Sequence, residues 1–246
     1  MSIAEKLTTI AEKMDEVYNA GVEAGKSQGG GDVDLWKMVT GDGTRTDFTR
    51  AFYGCDYSGA VFSKPVAPTG VIAQCFDQYK GTSLPKNLDF SHAQLSSGNL
   101  TNMFKDAKNL TEVYDLKLPT PTAKHFYTFI GCSVLEMVEN FRCSEATGFE
   151  RTFEKCYALK DINIIGTIGQ NGFDIHWSTN LSKASILSIL NACNIDVTSS
   201  PVTITLPSKC IDGATDTESL LSETGDPDLY GAQMSARALG YNIAFA

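Results

Sequence analysis

Residues 104–116 read FKDAKNLTEVYDL, and the same pattern returns at 129–141 as FIGCSVLEMVENF and at 153–165 as FEKCYALKDINII. An apolar residue stands at the first position and at every third one after it: Phe104, Ala107, Leu110, Val113 and Leu116, then Phe129, Cys132, Leu135, Val138 and Phe141, then Phe153, Cys156, Leu159, Ile162 and Ile165. Two looser copies precede them. Phe52 leads to Cys55 and Val61, and Phe76 leads to Tyr79, Leu84 and Leu88, so five phenylalanines follow one another at spacings of 24, 28, 25 and 24 residues. A regular period of this length marks a repeat protein, in which terminal copies are atypical. A single copy has one apolar edge and nothing to bury it against, whereas stacked copies join those edges into a core. One amphipathic helix per copy would also use apolar positions three or four apart. Strict threes drift around a helix, however, and Pro119 and Pro121 follow one copy at once, so the pattern favours short strand-plus-turn units.

The first 24 residues carry a different period. Ile3, Leu7, Ile10, Met14, Val17, Gly21 and Ala24 alternate steps of four and three, the heptad pattern of a coiled coil. Ile3, Ile10, Val17 and Ala24 take the d positions, and Leu7, Met14 and Gly21 the a positions. Leucine at a with isoleucine at d favours trimers or tetramers over dimers, and Ala4 and Ala11 at e widen the seam. The oligomerisation residues are therefore Ile3, Leu7, Ile10, Met14 and Val17, and a homotrimer is expected. A single amphipathic helix lying on the repeat body is the alternative. The glycine-rich stretch from Ser27 to Asp32 reads as a flexible linker.

Beyond the last copy the grammar changes again. Phe173, Ile175 and Trp177 alternate as a strand, and Ser182 suits a helix N-cap with Leu181 and Ile186 as its hydrophobic staple. Val202, Ile204 and Leu206 alternate as a further strand. Asp226 and Pro227 suit the start of a last helix, Gly240 its stop, and Tyr241, Ile243 and Phe245 a closing strand. The expected organisation is thus an attachment helix over 1–26, a linker over 27–33, a repeat body over 34–169 and a strand-helix cap over 170–246.

Charge narrows the partners. The net charge of -9, from 20 Lys and Arg against 29 Asp and Glu, argues against nucleic acid, whose binding depends on neutralised phosphates, and against an anionic membrane. No apolar run is long enough to span a bilayer, and the mixed-charge start lacks the apolar core of a signal peptide. Cys55, Cys132 and Cys156 fall three residues after a repeat phenylalanine, where a free cysteine acts as a small buried hydrophobe. Cys75, Cys143, Cys193 and Cys210 have no paired metal-ligand spacing. His92, His125 and His176 belong to no catalytic or metal signature, Gly41-Asp42-Gly43 is a turn signal, and Asp226-Pro227-Asp228 is explained by a helix start. No catalytic residue, metal or cofactor is expected, and a non-enzymatic protein is the reading of the residues.

The offsets of Phe, Cys and Leu with apolar steps of three resemble the leucine-rich repeats of the bacterial surface-antigen (BspA-like) type. The run from Gly166 to Phe173 followed by Trp177 to Ile186 resembles the C-terminal part of leucine-rich-repeat proteins encoded in phages and prophages of Gram-positive gut bacteria. The opening Ala4 to Lys13, running on to Gly21, is similar to the N-terminal helix of many phage tail-region proteins. The resemblance implies an α/β repeat solenoid with an N-terminal coiled coil and an α/β cap. It also implies a virion tail-appendage protein made in the host cytoplasm, attached to other tail proteins through its helix and presenting its repeat surface to a host glycan or protein. Residues between the apolar offsets point outward, which makes Tyr114, Lys117, Glu139, Arg142 and Asn163 the candidate recognition residues. A decoration or connector subunit that binds nothing outside the particle, and a bacterial surface adhesin, are the alternatives.

Overall fold

The computed structural model describes residues 48–58, 60–64, 72–91, 100–114, 125–143 and 148–246. The heptad segment with Ile3, Leu7, Ile10, Met14 and Val17, and the glycine-rich linker, lie outside the described residues, as do Lys117 and His92. In chain order the elements are β1 (Glu112–Val113), β2 (Met137–Arg142), β3 (Asp161–Ile165), β4 (Phe173–Asp174), α1 (Lys183–Asn191), β5 (Val202–Leu206) and β6 (Lys209–Cys210). Then come α2 (Ile211–Ala214), β7 (Thr215–Asp216), α3 (Thr217–Leu220), α4 (Pro227–Ala238) and β8 (Tyr241–Phe245).

The five spaced phenylalanines form a ladder of parallel rings. Centroids lie 4.4 Å apart for Phe52 and Phe76, 5.1 Å for Phe76 and Phe104, 5.1 Å for Phe104 and Phe129, and 5.7 Å for Phe129 and Phe153. All five are buried. Phe173 meets Phe153 edge-on at 5.8 Å and ends the ladder. Two more buried columns flank it: Phe48, Ile72, Leu100, His125 and Phe149 four residues before each phenylalanine, and Ala51, Cys75, Met103, Thr128 and Thr152 one residue before.

Turns, rather than strands, set this geometry. The residue two positions before each phenylalanine is left-handed, with φ of 57° at Arg50, Gln74, Asn102 and Tyr127 and 53° at Arg151. So is the residue two positions after, at Gly54, Gln78, Asp106, Gly131 and Lys155. Each left-handed residue closes a tight turn, as in the bonds from the amides of Ala107, Cys132 and Cys156 to the carbonyls of Phe104, Phe129 and Phe153. Left-handed backbone costs an L-residue about 1–2 kcal/mol, so it persists only where the surroundings hold it. Here bonds between neighbouring layers do so: the amides of Phe52, Phe76 and Phe104 each donate at 2.8 Å to the carbonyls of Cys75, Met103 and Thr128, and Phe129 donates to Thr152 at 2.9 Å.

The expected α/β repeat solenoid is therefore corrected. The strands collect into separate sheets of three, three and two strands, and the helices of the described residues all lie from Lys183 onward. In the regular copies the first three apolar positions lie among turns and the later ones reach the short strands β1–β3, at Val113, Val138, Phe141, Ile162 and Ile165, with no helix among the described residues of any copy. β1, β2 and β3 pair in parallel, but the sheet does not run through the upstream copies. Pro85 stands at the same offset from its phenylalanine as Val113, Val138 and Ile162 and lacks the N–H that a ladder uses; among the described residues, the pairing there is an isolated bridge from Val61 to Lys86. At the other edge α1 replaces a fourth strand. The β3 amides of Ile162 and Ile164 donate to the hydroxyls of Ser185 (2.9 Å) and Ser188 (2.8 Å), and the Ser185 hydroxyl donates to the Lys160 carbonyl at 2.9 Å.

β4, β5 and β8 form a second parallel sheet with β5 in the centre, and α1 packs on α4. The Ser182 hydroxyl accepts from the Ser185 amide, while Leu181 and Ile186 are both buried. Asp226 caps α4 with Pro227 at its first turn. Gly240 has φ 95°, and a Cβ there would meet the Thr198 backbone at 2.7 Å, so only glycine fits this turn into β8. β4 is shorter than the alternation of Phe173, Ile175 and Trp177 suggests. The Asp174 carboxylate captures the His176 amide at 3.1 Å, which turns the chain before Trp177 can pair. β6 and β7 form an antiparallel pair around α2. No helix of the described residues is long and apolar enough to cross a membrane.

Replacing Phe104, stacked on both faces, by alanine is expected to cost about 3–5 kcal/mol, read as a lower midpoint in urea unfolding. The exposed Tyr114 replaced by alanine should stay within about 0.5 kcal/mol of the parent in the same assay.

Candidate recognition surface

Tyr114 follows β1, Glu139 lies on β2 and Asn163 on β3, so the parallel pairing brings three of the sequence-derived residues into one row across the sheet. Arg142 stands at the far end of β2, opposite Ile165. Their environments differ. Tyr114 is 50% exposed. A hydrogen bond to Glu112, with the charges of Glu112 and Glu139 nearby, pushes its phenol above the ordinary value.

Asn163 serves the fold. β2 carries one extra residue between Val138 and Phe141, with Asn140 left-handed at φ 56°. The Asn163 side chain holds this bulge: its Oδ1 accepts the Asn140 amide at 2.7 Å and its Nδ2 donates to Asn140 Oδ1 at 3.0 Å. The same bulge moves Ile164 opposite Phe141 and leaves Ile165 opposite Arg142. Ile165, read from the sequence as a core residue, is consequently exposed. Beside the row, Met137, Glu139, Asp161, Asn163 and Ala184 line a shallow open groove of about 250 Å³. Its carboxylates disfavour an anionic ligand.

The turn face holds a second row that the apolar pattern did not disclose. Arg50 Nε donates to Gln74 Oε1 at 2.9 Å, the Tyr53 hydroxyl to Gln78 Oε1 at 3.0 Å and the Tyr127 hydroxyl to Glu150 Oε1 at 3.1 Å. The Arg50 and Arg151 guanidiniums lie 5.1 and 5.4 Å from the Tyr53 and Tyr127 ring centres. Arg151 also forms a two-pronged bond with Glu154, which holds the Glu154 carboxyl below its ordinary value. The only sequence signal for this row is polar or aromatic residues placed two before each repeat phenylalanine.

The cysteines and His125 are withdrawn from solvent. All seven cysteines are unpaired and buried. Burial raises the thiols of Cys132, Cys143 and Cys156 well above their ordinary value, and Cys193 to about 12. The Cys132 and Cys156 thiols donate to the Phe104 and Phe129 carbonyls of the preceding layer, at 2.9 and 3.2 Å. His125 is completely buried, stacks on Phe149 at 5.7 Å, and places Nε2 at 2.9 Å from the Arg142 carbonyl. That bond requires an Nε2–H donor. Burial pushes its pKa down to about 4 despite the opposing carbonyl. Among the described residues no group of His, Cys, Asp and Glu side chains is placed to hold a metal ion. No family model, curated protein or solved structure matches the chain.

His125 makes stability pH-dependent. The folded pKa of about 4 lies below the ordinary 6.5, so the unfolded chain takes up the proton first. Stability is complete above pH 6.5 and is lost as pH falls toward 4, by about 3 kcal/mol for one proton across that window. Unfolding midpoints measured from pH 7 to 4 should fall in the parent, and His125→Leu, with the residue type found at Leu100 in the same column, should flatten that component. Asn163→Ala leaves the part-buried Asn140 amide without its acceptor and is expected to cost about 1–3 kcal/mol in urea unfolding at pH 7.

Proposed function

We propose that the chain is a non-enzymatic phage tail-appendage protein that presents a rigid surface to a host-cell glycan or protein. The observation that carries the reading is the phenylalanine ladder with its two rows of outward side chains. It fixes Tyr114 and Glu139 on the sheet row and Arg50, Tyr53, Tyr127 and Arg151 on the turn row at the layer spacing. Aromatic and arginine side chains are the types that dominate binding surfaces, and positions preset by a packed core lose little entropy on contact. The seven reduced thiols fit synthesis in a reducing cytoplasm. The resemblance of Ala4–Gly21 and Gly166–Ile186 to phage tail-region proteins supports the setting, with the heptad helix as the attachment and trimerisation element.

Fluorescently labelled full-length chain added at micromolar concentration to a panel of Gram-positive gut bacteria should bind at least one strain saturably. An absence of binding across the panel would favour a connector subunit that contacts only other virion proteins. Light-scattering mass in solution should correspond to three chains, and Leu7→Asp with Ile10→Asp should reduce it to one; a parent mass of one chain would contradict the trimer.

A further inference from the structure

From the packing of Tyr157, Trp177, His176 and Asp174 we infer a carbohydrate-binding platform at the end of the turn face, separate from both rows described above. It takes a neutral pyranose ring. Tyr157 and Tyr114 are the large aromatic side chains left exposed among the described residues. Tyr114 is engaged by the Glu112 carboxylate, whereas Tyr157 is 47% exposed and leans on a second ring. Its centroid lies 5.7 Å from that of Trp177 at an interplanar angle of 80°, and the His176 ring sits 4.8 Å from Trp177 on a tilt of 36°. The result is an aromatic corner at the surface.

The backbone makes this corner rigid. Asp174 ends β4 by accepting the His176 amide, which turns the chain so that Trp177 stands beside Tyr157 instead of continuing the strand. Asn180 Nδ2 reaches the Tyr157 carbonyl at 3.4 Å, and the neighbouring Ser178 hydroxyl bonds the Cys156 carbonyl at 3.0 Å. Both residues adjoining Trp177 in the turn are therefore tied, directly or through the Asp174 carboxylate, to ordered backbone.

The polar rim specifies the ligand. His176 Nδ1 lies 2.6 Å from Asp174 Oδ1. A carboxylate oxygen only accepts, so Nδ1 carries the proton and Nε2 is left as an acceptor in the neutral ring. Asp174 Oδ1 serves both the ring and the amide of His176, which leaves Oδ2 as a second acceptor. An aromatic corner edged by the His176 and Asp174 acceptors fits a molecule that combines a face of C–H groups with several O–H donors at its edge. A neutral sugar ring has both. A carboxylated or phosphorylated sugar would meet repulsion from Asp174.

The inference supplies a ligand class for the recognition reading and is tested apart from it. Full-length protein is titrated with glucose, galactose, N-acetylglucosamine and N-acetylgalactosamine to high millimolar concentration, with N-acetylneuraminic acid as the anionic comparison. Binding is followed by saturation-transfer NMR and by tryptophan emission. At least one neutral sugar is expected to bind in the millimolar range, as suits a small site without deep burial, and the anionic sugar to bind more weakly. Tyr157→Ala, an exposed change whose fold is checked by an unaltered urea midpoint, should weaken binding about tenfold, and Trp177→Leu should abolish it. Absence of binding by every neutral sugar, binding unaffected by Tyr157→Ala, or anionic sugar binding equal to the neutral ones would overturn the platform. Cell binding that persists when no sugar binds removes this site alone, and sugar binding weakened in Tyr157→Ala upholds it whether or not cells are bound.

Discussion

Face-to-face stacking of Phe52, Phe76, Phe104, Phe129 and Phe153 is the contact on which the other features depend. Each ring fills the centre of a layer made of tight turns, and each layer contains two left-handed residues around its phenylalanine. Such backbone is unfavourable alone. It holds because the turn carbonyls and amides bond to the next layer while the rings exclude water from those bonds. Packing and hydrogen bonding thus act on the same atoms: the amide of Phe104 donates to the Thr128 carbonyl while its ring lies on Phe129.

The sheets are secondary to that ladder. β1, β2 and β3 form where the third-position residues are β-branched and paired, stop upstream where Pro85 removes a donor, and stop downstream where Ser185 and Ser188 satisfy the β3 amides in place of another strand. This arrangement leaves no row of open amides on that side of β3, a feature that would otherwise invite pairing with another chain. The bulge at Asn140 then decides which side chains reach solvent at the end of the sheet, which is why Ile165 emerges and Asn163 is engaged.

Much of this was legible in the sequence, but unevenly. The five phenylalanines and the cysteines three residues after them read directly as core, because apolar side chains recur only where they are buried together. Ser182, Asp226, Pro227 and Gly240 announced helix ends through capping chemistry, and all four stand where those rules place them. The repeat solenoid did not follow, because an apolar spacing of three cannot show that strands form at the later positions of three copies alone while the rest of each copy sits on turns held by left-handed residues. Arg50, Gln74 and Tyr127 are not residue types that advertise positive φ. Nor could the sequence reveal that Asp174 would halt a strand at its second residue and turn Trp177 toward Tyr157. The row of Tyr114, Glu139 and Asn163 was visible as an offset, while the bulge that occupies Asn163 arises from pairing between chain segments 23 residues apart.

Native-state hydrogen exchange on the amides of Phe52, Phe76, Phe104 and Phe129 measures the ladder most directly, since each donates to the layer that follows it. If stacked rings hold the layers as one unit, these four amides will share a single opening free energy close to that of global unfolding. Four different opening free energies, with any of the amides exchanging through local fluctuations far below the global value, would contradict the account.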